Sequence, residues 1–258
     1  MPSLSILPAL SMADLLAVAL ILGAWAVSGW VIEREDTARP SVSVIMVDYR
    51  REWMRQFVTR VPRLFDANVM SSLRQGTSFL ASATMLAIGG VLAMIGNRDR
   101  LGSVAADLSL GQADPVVWEI KMILVLVFVT NAFLKFVWAH RLFGYCSIVM
   151  AAVPNDAADP RAERMAMKAA EINIRAAKGF NRGLRSIYFA LGALGWLLGP
   201  MGLVAATVLA SIVILRREYG SQSREVLIQG LAALEDRPAA AAEPRVAENP
   251  HAADAGRD

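Results

Sequence analysis

Lys135 stands in the apolar stretch Met122–Ala139, one helical turn after Asn131 and shortly before Arg141. An ammonium at membrane depth costs roughly 3 kcal/mol on insertion scales, so it faces protein, water or the headgroup zone and commonly marks function. On a helix, Lys121, Phe128, Asn131, Lys135 and Trp138 fall within an arc of about 100°. Such a seam would offer Lys135 and Asn131 to an anion, a headgroup or a carboxylate of another helix. The competing reading is that Lys135 lies near its helix end and snorkels, because His140 and Arg141 follow closely. Carboxylate partners are few: Asp14 and Glu119 fall at the far ends of their apolar segments, which leaves Asp66 and Glu171.

Other chemistries find little support. A proton relay needs ionisable groups in series through the membrane, and the apolar segments do not supply one. The histidines are His140 and His251, and no HExxH or carboxylate cluster with metal-ligand spacing occurs. The glycines sit in apolar segments instead of strand-to-helix phosphate loops. Cys146 is the single cysteine, which excludes an intramolecular disulfide or a CxxC motif. No serine has a general base near it in sequence. The expectation is a non-enzymatic protein with no cofactor and no metal.

The elements that would position Lys135 are membrane helices. The chain is 55% hydrophobic and 19% charged, with a mean hydropathy of +0.43, too apolar for an ordinary soluble domain. Its formal charge of +3 and pI near 9.3 do not imply nucleic acid, because the basic residues flank apolar segments. Arginine outnumbers lysine 22 to 4; genomic base composition explains that better than anion recognition does.

A hydrocarbon core of about 30 Å takes about 20 helical residues. Four spans are expected, at Met12–Ile32, Thr77–Gly96, Val117–Ala139 and Ile187–Leu215, the first of them a retained transmembrane helix. Lys and Arg number eight in Glu33–Gly76 and eight in His140–Ser186, against none in Met1–Ser11 and two in Asn97–Val116. The positive-inside rule then places the N-terminus outside and the two long loops in the cytoplasm of a bacterial inner membrane. The fourth span is long, about 43 Å as a helix, with Gly199-Pro200 at its middle. A re-entrant hairpin is one solution, but short arms and a lipid-exposed turn with unpaired backbone groups argue against it. A tilted, Pro-kinked crossing is expected. Along it, Gly192, Gly195, Gly199, Gly202, Ala206 and Ala210 keep to one helix face within about 80°, a stripe suited to close packing within the bundle or to a homo-oligomer contact.

The first long loop holds an amphipathic helix over Asp48–Leu73, in which Tyr49, Trp53, Phe57, Val61, Phe65, Val69 and Leu73 repeat every four residues and Pro62 imposes a kink or a break. It lies on the inner leaflet or packs against the bundle. In the second loop, Leu142–Val153 continues the third helix or lies in the interface, and Arg161–Lys178 is a helix with Ala162, Met165, Ala169, Ile172 and Ala176 on one face. Residues 1–235 thus form one membrane domain. Residues 236–258, rich in Ala, Pro and charge, form a disordered tail.

Seven motifs occur in order: Arg51-Glu-Trp53-Met54; Leu73-Arg-Gln-Gly76; Phe79-Leu-Ala-Ser82 with Ile88-Gly-Gly90; Trp118-Glu-Ile-Lys121; Ala132-Phe-Leu-Lys135-Phe-Val-Trp138 with Arg141-Leu-Phe; Phe180-Asn-Arg-Gly-Leu-Arg185; and Arg216-Arg-Glu-Tyr219. Together they resemble the DUF599 family of uncharacterised bacterial and plant membrane proteins, over roughly Asp14–Ser223. Gly144 and Gly179 depart from the pattern, standing where the family often has Asn and His. The resemblance implies a multi-span membrane protein, lends weight to Lys121, Lys135, Arg141, Asn181 and Arg185, and supplies no reaction.

The sequence therefore leads to an all-α integral membrane four-helix bundle with cytoplasmic amphipathic helices. Its candidate anion site comprises Lys121, Asn131, Lys135, Arg141, Asn181, Arg182 and Arg185, and the expected partners are anionic lipid headgroups or a protein. A small-solute transporter or channel subunit acting as an oligomer is the alternative.

Overall fold

A computed structural model describes residues 10–97 and 115–235; the expected tail at 236–258 lies outside them. Among the described residues the regular structure is helical: α1 (Met12–Glu33), α2 (Val42–Thr59), α3 (Leu64–Gly96), α4 (Pro115–Ala151), α5 (Ala162–Leu194), a 3-10 turn (Gly195–Leu198), α6 (Pro200–Tyr219) and α7 (Gln222–Glu235). Four stretches are long and apolar enough to cross a membrane: Met12–Glu33, Leu64–Gly96, Val116–Ala151 and Pro200–Leu231. The first three contain the first three expected spans.

Helix α1 begins in a capping box. Asp14 N–H donates to Ser11 Oγ at 3.2 Å while the Ser11 amide donates to the Asp14 carboxylate at 3.1 Å. These bonds satisfy amides that have no intrahelical acceptor. After Glu33 the chain turns extended at Arg34. Ser41 then caps α2 and donates its hydroxyl to the carbonyl of Ile32 at 2.7 Å, which fixes the angle between the two helices.

The amphipathic helix expected over Asp48–Leu73 is two helices. The break at Arg60–Arg63, around Pro62, resets the helical phase. Phe57 stays buried, whereas Phe65, on the same face by the four-residue repeat, is 64% exposed and Asp66 beside it is fully buried. Asp66 is held by Arg60 and by Trp53 Nε1 at 2.7 Å. From Leu64 no proline interrupts the chain until Pro115, so the second half of the loop helix and the second apolar span form one continuous helix.

Helices α4 and α5 are the spine. Each exceeds 30 residues, about 50 Å of helix, and they pack antiparallel along much of that length. Gly183 faces the Phe136 ring, which a Cβ there would approach to 2.7 Å, and Gly179 lies against Ala139. The spine joins two cores. One is made by α1, α4, α6 and the end of α5, around Ile21, Phe128, Phe189, Trp196 and Leu203. The other gathers Met54 and Phe57 of α2, Met70 of α3, Phe143, Cys146 and Met150 of α4 and the alanines Ala162, Ala166, Ala169, Ala170 and Ala176 of α5. Leu142–Ala151 thus continues the third apolar helix into the second core. The buried arc of α5 is rotated slightly from the expected one, leaving Met165 and Ile172 half-buried.

The kinked crossing expected for 187–215 is replaced by a reversal. Gly199 adopts φ 93°, a conformation that L side chains rarely take, and Pro200 opens α6 where its missing N–H costs nothing. A Cβ on Gly192 would touch Ala206 and Ala210, at 3.6 and 3.8 Å. One straight helix would hold residues 192 and 206 about 21 Å apart. The stripe of small residues is therefore folded on itself. Gly192 and Gly195 of one arm meet Gly202, Ala206 and Ala210 of the other, while Gly199 is the turn. A Cβ on Gly195 would lie 2.6 Å from both Ala206 Cβ and the Gly202 carbonyl oxygen, so only glycine fits there. The turn pairs its own backbone, with Gly199 N–H donating to the Trp196 carbonyl at 2.9 Å and Leu203 N–H to that of Gly199 at 3.2 Å. These bonds reduce the number of unpaired backbone groups that weighed against a hairpin.

Candidate functional site

The reversal sets the two ends of the helix group. At the turn end, Trp196 is buried and its indole N–H donates to Asp14 at 2.7 Å. The buried Lys121 places its ammonium 5.9 Å from the Trp196 ring centroid, within cation–π range. Lys121, Asp14 and Trp196 thus tie α4 and α1 to the turn. That places Lys121 about 21 Å along α4 from Lys135, so it belongs to a separate site.

At the other end, Arg182 and Arg185 project from one face of α5 toward Glu33, the last residue of α1. Arg182 Nε donates to both carboxylate oxygens at 2.8 and 3.0 Å, and Nη2 atoms of Arg182 and Arg185 make further close contacts with the same carboxylate. The hydrogen bond to Glu33 raises the pKa of Arg182. Arg185 is almost wholly buried; Arg182 is half-exposed.

Lys135 faces this cluster across a cleft of about 700 Å³. Trp25, Gly29 and Trp30 form its apolar wall, and Arg34, whose guanidinium lies 5.3 Å from the Trp30 ring centroid, stands at its rim. Four cations and one carboxylate line the space, a formal +3. Glu33 occupies two of the cations; Lys135 and Arg34 form no ion pair among the described residues. Behind the cleft wall lies a small polar cluster. The Ser186 hydroxyl lies 3.0 Å from Asn131 Oδ1 and 3.2 Å from the Arg182 carbonyl, and it accepts from Trp25 Nε1 at 3.3 Å. Asn131 therefore shapes the cleft from behind.

The remaining expected site residues lie elsewhere. Arg141 is exposed on another face of α4, donating to Tyr145 OH at 2.7 Å and flanked by Trp138. Six residues past Lys135, it is turned by about 120°, out of reach of the cleft. Asn181 lies on the α2 side of α5, where its amide donates to Ser43 Oγ at 3.2 Å. Asp66 and Glu171, the carboxylates expected for Lys135, serve Arg60 with Trp53, and Arg51 at 3.1 Å, respectively. Gly144 opens to free space, and Gly179 packs on Ala139.

Glu33 was absent from the expected set. The signal was present: it directly follows the expected first span, on the same side by the Lys and Arg count as Arg182 and Arg185.

Helices, cores and cleft define the class: a protein helical over its described residues, with four stretches long and apolar enough to cross a membrane and a basic cleft where the end of α1 meets α4 and α5. No curated protein and no solved structure matches the chain. A family model does match residues 16–223, and the chain belongs to that family, DUF599, proteins of unknown function.

Proposed function

We propose that this chain is a non-enzymatic protein of the bacterial inner membrane whose Lys135 cleft holds an anionic lipid headgroup at the cytoplasmic face. The observation that carries this is the Lys135 ammonium, without an ion-pair partner among the described residues, in a +3 cleft walled by Trp25 and Trp30. Indole rings settle at the headgroup level. Ammonium and guanidinium groups bind phosphate through charge-assisted hydrogen bonds, and basic residues near the inner leaflet gain from its negative potential.

The reversal at Gly199 supports the orientation. With α6 folded back along the end of α5, Arg216, Arg217 and Arg224 return to the side of the sixteen Lys and Arg of the two long loops. Two remain opposite, in Asn97–Val116, which agrees with the positive-inside rule. The oligomeric transporter reading drew on the small-residue stripe as an outward surface. With those glycines facing one another inside the chain, that support is gone.

Native mass spectrometry with phosphatidylglycerol and phosphatidylcholine tests the proposal. Wild type retains phosphatidylglycerol preferentially, Lys135→Ala and Arg34→Ala lose the preference, and Arg141→Ala keeps it. Equal retention of the two lipids by wild type, or a preference unchanged in Lys135→Ala, refutes it.

A further inference from the structure

On an adjoining face of α5, α2, α5 and α6 line a second cavity of about 290 Å³. Ser43, Arg50, Lys178, Asn181, Arg217 and Glu218 supply its polar lining, and Met46, Leu184 and Ile214 its apolar wall. Two cations in this wall have no carboxylate among the described residues. Arg50 bonds to the amide oxygen of the buried Asn173, and Arg217 bonds to Tyr188 OH. Lys178 is already engaged by Glu35 at 3.0 Å, and Arg185 by Glu33.

A half-buried guanidinium whose bonded partner is a neutral amide carries a charge that no carboxylate of the described residues offsets, and such groups are ordinarily paired. Burial lowers the pKa of Arg50. Glu218 sets the sign and size of what can enter. Its carboxylate accepts from the Ser43 amide and hydroxyl, both at 3.0 Å, so it is fixed in the wall. Arg50 and Arg217 against Glu218 leave one positive charge unmatched. A monoanion cancels that charge, whereas a dianion leaves a net negative charge beside Glu218. The flat fork of a guanidinium matches a planar carboxylate through two parallel hydrogen bonds, and Met46, Leu184 and Ile214 would take a short apolar body.

We infer that this cavity is a binding site for a small organic monocarboxylate, with Arg50 and Arg217 on its carboxylate and Met46, Leu184 and Ile214 around its body. The site is separate from the lipid cleft, although Arg185 lines both.

Saturation-transfer NMR on the detergent-purified full chain, with butyrate as probe at constant ionic strength, tests this. Wild type shows transfer to the butyrate methyl that acetate competes away and that inorganic phosphate displaces less well. Arg217→Gln changes an exposed side chain and weakens binding about tenfold, as loss of one charge-assisted contact would; Arg50→Gln abolishes it. Lys135→Ala leaves butyrate binding intact, so failure of the lipid proposal and failure of this one are read independently. No transfer in wild type, equal transfer in Arg217→Gln, or better displacement by phosphate than by acetate overturns the inference.

Discussion

Single side chains here do one of two jobs, closing the fold or leaving charge uncompensated. Asn173 belongs to the first group: fully buried, it accepts from Arg50 and lies against Met70 and Cys146 sulfurs. Asn173→Ala strips Arg50 of its partner and should cost about 1–3 kcal/mol, measured by chemical unfolding in detergent. Asp159 illustrates a purely local effect. The Arg161 side chain and backbone N–H hold its carboxyl at about 2, below the usual 3.8. A depressed carboxyl pKa stabilises the fold above about 3.8, and that contribution fades as pH falls toward about 2. NMR titration of the Asp159 carboxyl carbon should give a midpoint near 2 in wild type and a higher one in Arg161→Ala, still below 3.8 because the backbone N–H of residue 161 remains. Lys135 belongs to the second group, and its loss is expected to alter lipid preference more than stability.

Among the elements, the hairpin of α5 and α6 is the most sensitive. Gly199→Ala forces an alanine into a backbone region that costs about 1–3 kcal/mol, and Gly195→Val drives a side chain into Ala206 and the Gly202 carbonyl. Both variants should unfold at lower temperature in detergent, with Gly195→Val the worse. Gly90→Ala is the control. Its Cβ would meet nothing within 4 Å, so no loss is expected. Much of this region was legible in the residues. The glycine spacing announced close packing, and Gly199-Pro200 announced a disruption. The spacing of three and four is nevertheless the same whether the partner backbone is another chain, another helix or the continuation of the same chain. Only contacts between residues fourteen apart, such as Gly192 with Ala206, distinguish a reversal from a kink. Helix α7 was not legible as a packed element: it is anchored to the α2 side by Tyr49 OH on the Leu227 carbonyl and Arg224 on that of Pro40, long-range bonds that no local pattern encodes.

For the whole molecule, charge collects where the end of α1 meets the middles of α4 and α5, between the two cores. The reversal brings Arg217 beside Tyr188 and Glu218 beside Ser43, so the C-terminal segment returns to the end that holds Arg182 and Arg185. A reporter fused after Glu235 should therefore score as cytoplasmic, with fluorescence from a green fluorescent protein fusion and no activity from an alkaline phosphatase fusion. The kinked crossing expected from the sequence gives the opposite readout, so one pair of fusions separates the two architectures.

Local composition and period by themselves determined that the protein is helical, where the first three apolar stretches run and which residues are basic, because hydropathy, helical periodicity and charge count are properties of neighbours in the chain. The expected site grouped Arg141 with Lys135, although 100° per residue already turns the two apart. The tertiary structure decided which charges meet. Glu33 reaches Arg182 and Arg185 across some 150 residues because Ser41, the Gly199 turn and the Asp14–Trp196 contact fix how α1 lies on α5. Lys121 is drawn to the far end by the same packing. Pairing of distant charges depends on where backbones cross, and that is set by glycine contacts and caps acting together.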